Sequence, residues 1–145
     1  MSRIISFRGL LADATQERLQ IETIRGEKGY RIVKFKIMVS EPGQQTSEHV
    51  LKIYKEAQTT IDNTTNFSDN RLLGMAWLGF GATTGPTNLL IDIFDQEIFN
   101  QDIFITCSDV STNGKSCNYY IELEQMDLAL DESTVATLKD IRNSD

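Results

Sequence analysis

The apolar residues of this chain recur at every second position. Val33, Phe35, Ile37 and Val39 alternate with Lys34, Lys36 and Met38, directly after Tyr30-Arg31-Ile32. Successive side chains of a strand point to opposite faces, so this run predicts a strand with one apolar and one basic face. The same period returns at Leu19 and Ile21, at Leu51 and Ile53, at Leu89, Ile91 and Ile93, and at Ile103, Ile105 and Cys107. It closes with Tyr119, Ile121 and Leu123 inward and Glu122 and Glu124 outward.

Turn residues punctuate these runs. Arg25-Gly-Glu-Lys-Gly reads as a tight connection that makes residues 18–39 a hairpin, and a loop holding Asn113-Gly114 makes residues 103–126 a second. Glycines 79, 81 and 85 with Pro86 read as a loop, and the Thr-, Asn- and Asp-rich stretch 56–70 as a longer one with a short strand at Asn66-Phe-Ser. Leu72 to Leu78 fits either a short buried strand or a helical turn.

Seven or eight short strands with irregular loops predict an all-β fold: a single antiparallel β-sandwich, with a jelly roll as the expected version. At 145 residues and 40% hydrophobic composition, the chain has material for one core. Residues 1–16 form an N-terminal arm or first strand, residues 17–130 the sandwich, and residues 131–145 a C-terminal helix and tail. The helix is short, capped at Asp131 and apolar along Val135, Leu138 and Ile141.

The formal net charge is −7, which speaks against direct, sequence-specific nucleic-acid binding, where phosphate neutralisation drives affinity. The charge is unevenly spread. Residues 1–55 carry ten Lys and Arg against six acids, and residues 56–145 four against fifteen. Such a split can steer unlike surfaces of neighbouring copies together, with Arg8, Arg18, Arg25, Lys34 and Lys36 as candidate assembly contacts. Alternatively, strands from the two halves interleave and neutralise each other within one subunit.

No secretory h-region opens the sequence, and no apolar run reaches the roughly 20 residues of a membrane helix. The expectation is a protein made in a cytoplasm, with no membrane partner and with Cys107 and Cys117 as free thiols. Chemistry is sparse. Asn113-Gly-Lys-Ser lacks the upstream glycine of a phosphate-binding loop, and His49, the single histidine, has no serine in a nucleophile-elbow context and reads as a surface or sheet-edge residue. The acidic cluster Asp92, Asp95, Glu97 and Asp102 offers oxygen ligands for calcium but not the EF-hand spacing. No cofactor and no catalytic residue are implied. Trp77, Tyr119 and Tyr120 are the aromatic candidates for an alternative, carbohydrate-binding role in host recognition, although Trp77 lies in an apolar run that reads as core.

Three stretches and a tail carry a resemblance. These are Gly29-Tyr-Arg-Ile-Val-Lys-Phe-Lys-Ile-Met, Ile93-Phe-Asp-Gln-Glu-Ile-Phe-Asn-Gln-Asp-Ile-Phe-Ile-Thr, Cys117-Asn-Tyr-Tyr-Ile-Glu-Leu-Glu and Ala136-Thr-Leu-Lys-Asp-Ile-Arg. Together, over residues 3–142, they resemble a group of small uncharacterised proteins of marine viruses and phages, placed among virion structural proteins. The resemblance implies a non-enzymatic capsid, cement or minor capsid protein located in the virion, whose partners are copies of itself or other capsid proteins. It carries over no site residues.

Overall fold

The structure is a computed structural model that describes residues 3–21, 28–44, 46–111 and 113–127. The expected C-terminal helix over residues 131–145 and Arg25 lie outside the described residues. Eight strands follow in order: β1 (Arg3–Leu11), β2 (Thr15–Leu19), β3 (Lys28–Val39), β4 (Ser47–Tyr54), β5 (Leu72–Gly81), β6 (Gly85–Ile93), β7 (Ile103–Asp109) and β8 (Cys117–Asp127). They form two antiparallel sheets, one ordered β1-β8-β3 and the other β2-β7-β4-β5-β6. First with last, second with seventh and fourth with fifth are the pairings of a long ribbon rolled on itself, the jelly-roll arrangement. β6 departs from it by extending the five-stranded sheet beside β5, while packing against β3 across the sandwich.

This topology corrects both expected hairpins. β2 pairs with β7 and β3 with β8, so residues 18–39 cross from one sheet to the other instead of folding back. Residues 103–126 do the same, because β7 lies in the five-stranded sheet and β8 in the three-stranded one. Both strands of each predicted hairpin present an apolar face to one shared core. Period-two patterning looks the same whether they are neighbours in a sheet or partners across a sandwich.

The inner faces meet in a core of Ile32, Phe35, Ile37, Val39, Tyr119, Ile121 and Leu123 from one sheet and Leu51, Ile53, Leu73, Ala76, Leu78, Ile103, Ile105 and Cys107 from the other. Each fully buried aliphatic side chain stabilises the fold by about 1.5–3 kcal/mol. The alternation in β3 has a phase break. Ile32 faces Leu123 and Lys34 faces Glu122, leaving Val33 as a bulge. Tyr30 and Ile32 therefore share the inner face with Phe35, while Val33, expected inward, is only half-buried. The start of β3 is held at its free edge by Phe99, whose backbone exchanges hydrogen bonds of 2.8 and 2.9 Å with Tyr30.

The segment from Leu72 is a strand, and the glycines expected in a loop lie within β5 and β6. Only residues 82–84 turn the chain, helped by Gly85 at φ +76°. β6 is an edge strand that β3 covers only in part, so Leu89, expected inward, is 53% exposed while Ile91 and Ile93 pack against the core; Leu90 is 56% exposed. Asn66-Phe-Ser is a turn, in which the Asn66 side chain accepts from the Ser68 backbone N–H at 3.1 Å.

Candidate interaction surface

The three-stranded sheet has one open face. β1 places Ile4, Ser6, Arg8 and Leu10 there, β8 places Asn118, Tyr120, Glu122 and Glu124, and β3 places Arg31, Lys34, Lys36 and Met38. The register sorts them into rows. Arg31 faces Glu124 and Lys34 faces Glu122, and these pairs close at 2.9 and 3.8 Å. Lys28 pairs likewise with Asp127. The acids of the second half of the sequence thus neutralise much of the basic face of the first half within one subunit.

The neutralisation stops halfway along the sheet. In the next row Tyr120 stands between Arg8 and Lys36, and beyond it Asn118 stands between Leu10 and Met38. Tyr120 turns its hydroxyl to Glu122, donating at 2.6 Å, and that bond holds its pKa above the ordinary value. Among the described residues, Arg8 and Lys36 form no ion pair. Leu10 is 57% exposed and Met38 54%, with Ile4 at 52% on the neighbouring edge. Two cations and three apolar side chains therefore share one sheet face.

Of the candidate contacts read from the sequence, the structure brings together Arg8, Lys34 and Lys36. Arg18 lies apart from them, in the five-stranded sheet, where it pairs with Asp102 at 2.5 Å from Nη2. Leu10 and Met38 were the residues sequence reasoning left out. Their signal was positional, since Met38 shares the period of Lys34 and Lys36.

A second surface lies at the far side of the molecule. Leu51 and Ile53 face the core, so Lys52 between them points outward from the five-stranded sheet, yet it is 3% exposed. The loop over residues 55–71 covers it: Nζ donates to the Thr64 carbonyl oxygen and lies 5.5 Å from the Tyr54 ring centroid. Arg71 shapes this loop, donating to Asp69 from Nε at 2.9 Å and from Nη2 at 2.8 Å, and to Glu56 from Nη1 at 2.8 Å. The hydrogen bond from Arg71 holds the Asp69 pKa below the ordinary 3.8. The loop presents Phe67, 55% exposed, edge-on to Phe94 at 5.1 Å between ring centroids. Beside this ring pair opens a cleft of about 360 Å³, lined by the two rings with Leu72 and Ile93 and by Asn70, Asp95, Gln96 and Glu97.

The acidic cluster proposed for calcium is dispersed. Asp102 accepts from Arg18 at 2.7 Å and from the Ile21 backbone N–H at 2.8 Å, and Glu97 lies 3.4 Å from Lys55. Among the described residues, no three His, Cys, Asp or Glu side chains are placed to hold a metal ion. The aromatic candidates for sugar binding fall in three places. Tyr119 is buried and donates its hydroxyl hydrogen bond to Glu17 at 2.9 Å. Trp77, expected in the core, is half-buried on the outer face of β5 and donates from Nε1 to Glu48 at 2.9 Å. Tyr120 alone stands on the three-stranded sheet's open face.

His49 is also corrected. It occupies the central strand β4 with no exposed surface, and neither ring nitrogen has a hydrogen-bond partner among the described residues. Burial pushes its pKa below 6.5, against the pull of Asp109 and Asp13. Asp109 opposes it across β7 and organises the loop to β8, accepting from the backbone N–H groups of Glu48, Ser111 and Lys115 and from the Ser111 hydroxyl. Cys107 and Cys117 are buried free thiols. Comparison of the sequence with known protein families and with curated proteins found no match.

Proposed function

We propose that this protein is a non-enzymatic virion structural subunit (a capsid, cement or minor capsid protein) that acts through contacts with copies of itself or with other capsid proteins. The observation that carries the reading is the half-neutralised face of the three-stranded sheet. Among the described residues Arg8 and Lys36 lie there without ion pairs, beside the exposed Leu10 and Met38. Farther along the same face Arg31 and Lys34 are matched by Glu124 and Glu122, so the unmatched end is where the surface is left unfinished. Exposed apolar side chains gathered within a polar rim mark association surfaces. Jelly rolls serve as capsid domains and as lectins, so the fold is compatible with both readings and decides neither. The resemblance to virion proteins favours the first.

Light scattering of the purified protein at low and high salt tests this. A discrete oligomer that dissociates as salt rises is expected, because screening weakens contacts between exposed charges. Changing Leu10 and Met38 to Ser gives monomers. A wild-type monomer at every salt and concentration overturns the reading. The alternative, a carbohydrate-binding module for host recognition, rests on Tyr120, the aromatic candidate on the open sheet face. It predicts glycan-array binding that Tyr120→Ala abolishes.

A further inference from the structure

We propose that the Phe67–Phe94 cleft receives the Arg8 and Lys36 face of a second copy of this chain, so that copies join head to tail. The inference rests on the assembly reading above and names the surface that reading leaves open. The two surfaces match in chemistry. One offers two cations that form no ion pair among the described residues, flanked by Leu10 and Met38. The other offers an exposed phenylalanine and the carboxylate of Asp95, which forms no ion pair among the described residues. A guanidinium or ammonium group is held well by an aromatic ring together with a carboxylate, and methionine packs well against aromatic rings.

The size also fits. At about 360 Å³ the cleft is near the small end of the roughly 300–1,000 Å³ range of ligand sites, with room for one or two long side chains. Its apolar residues, Leu72 and Ile93, suit the aliphatic stem of Arg or Lys, while Asp95 and Gln96 meet the polar end.

Geometry prevents a subunit from satisfying itself. The basic face is the outer side of the three-stranded sheet, whereas the cleft is built by residues 66–72 and 93–97, on the loops that flank the five-stranded sheet. The complementary surfaces can meet only between copies. Because the two patches belong to the outer sides of different sheets, a contact made through one leaves the other facing away, so the association is heterologous and generates a closed ring or an open filament.

Two exposed charge reversals separate the possibilities. R8E/K36E spoils the basic face and leaves the cleft intact, and D95K/Q96K does the reverse. All four positions are solvent-exposed, and none of the four side chains forms an ion pair among the described residues. Each double variant alone is expected to be monomeric, its self-association weakened on the order of a hundredfold. An equimolar mixture is expected to recover complexes holding both variants, because each supplies the surface the other lacks. Light scattering and native mass spectrometry read both results, and the milder R8Q and D95N guard against a misfolded reversal, each weakening association in the same direction. If D95K/Q96K and D95N associate as the wild type does while R8E/K36E does not, the basic face meets something other than the cleft. That outcome overturns this inference and leaves the assembly reading standing. A monomeric wild type overturns both.

Discussion

His49 makes a quantitative test of how this fold treats a buried ionisable group. The residue has no exposed surface, faces Leu78 on one side and Asp109 on the other, and has no partner for either ring nitrogen among the described residues. Burial depresses its pKa, with Asp109 and Asp13 the acids that oppose the shift. In the unfolded chain the imidazole protonates as pH falls through 6.5, whereas in the native protein it stays neutral to lower pH. Below 6.5 the unfolded state therefore binds more protons, and stability is lost as pH falls until the native histidine itself protonates. The full slope is about 1.4 kcal/mol per pH unit, or roughly 3 °C of Tm per kcal/mol for a chain of this size. His49→Leu preserves volume, removes two unbonded polar atoms and abolishes the titration. It is expected to be about 1 kcal/mol more stable than wild type near neutrality. The gap widens as pH falls below the unfolded pKa, by at most about 1.4 kcal/mol per pH unit, and stops widening once the native histidine protonates. Urea unfolding of both proteins across this range measures it. The hydrogen-bonded carboxylates Asp69 and Asp109 titrate below 3.8 and leave the window clear. Parallel stability profiles for the two proteins, or a less stable leucine variant, would refute the reasoning.

Three further outcomes follow from the same structure. Asp109→Asn removes the charge that four donors share and is expected to cost about 3 kcal/mol in chemical denaturation. Burial raises the Asp109 pKa but the hydrogen bonds outweigh it, so its stabilisation is present above 3.8 and lost as pH falls through the lower native value; this part of the acid limb disappears in the variant. Tyr119→Phe breaks the bond to Glu17 that ties the two sheets together, and thermal unfolding is expected to show a loss of about 1 kcal/mol. Burial pushes the Cys117 thiol up to about 12 and Cys107 higher still, so native protein should resist an alkylating reagent that modifies both thiols in denaturant, as mass spectrometry will show. Rapid labelling of native protein would contradict this assignment.

Much of the interior was legible before folding was considered. The inward sets Phe35-Ile37-Val39, Ile103-Ile105-Cys107 and Tyr119-Ile121-Leu123 are buried as their period required. Prediction failed where one residue broke the period or where a strand ran out of cover. The bulge at Val33 shifts phase without any punctuating glycine or proline. Leu89 has the right period but sits on an edge strand that the smaller sheet covers only in part. His49 looked like a sheet-edge residue because its strand's central position depends on the pairing of β4 with both β5 and β7.

The interaction surfaces divide in the same way. Local sequence determined that Lys34, Lys36 and Met38 share one strand face, because side-chain direction in a strand depends only on position parity. Tertiary structure decided which of those cations are matched. Lys34 meets Glu122 and Lys36 meets Tyr120, a difference set by the register of β3 on β8, residues some eighty positions apart in the chain. The cleft is a tertiary creation altogether, since Phe67 and Phe94 come from a loop and a strand end that meet only after the sheet has formed. Periodicity is a property of neighbouring residues and survives in the sequence; register and sheet membership are chosen by contacts across the whole chain, and are fixed only when the core closes.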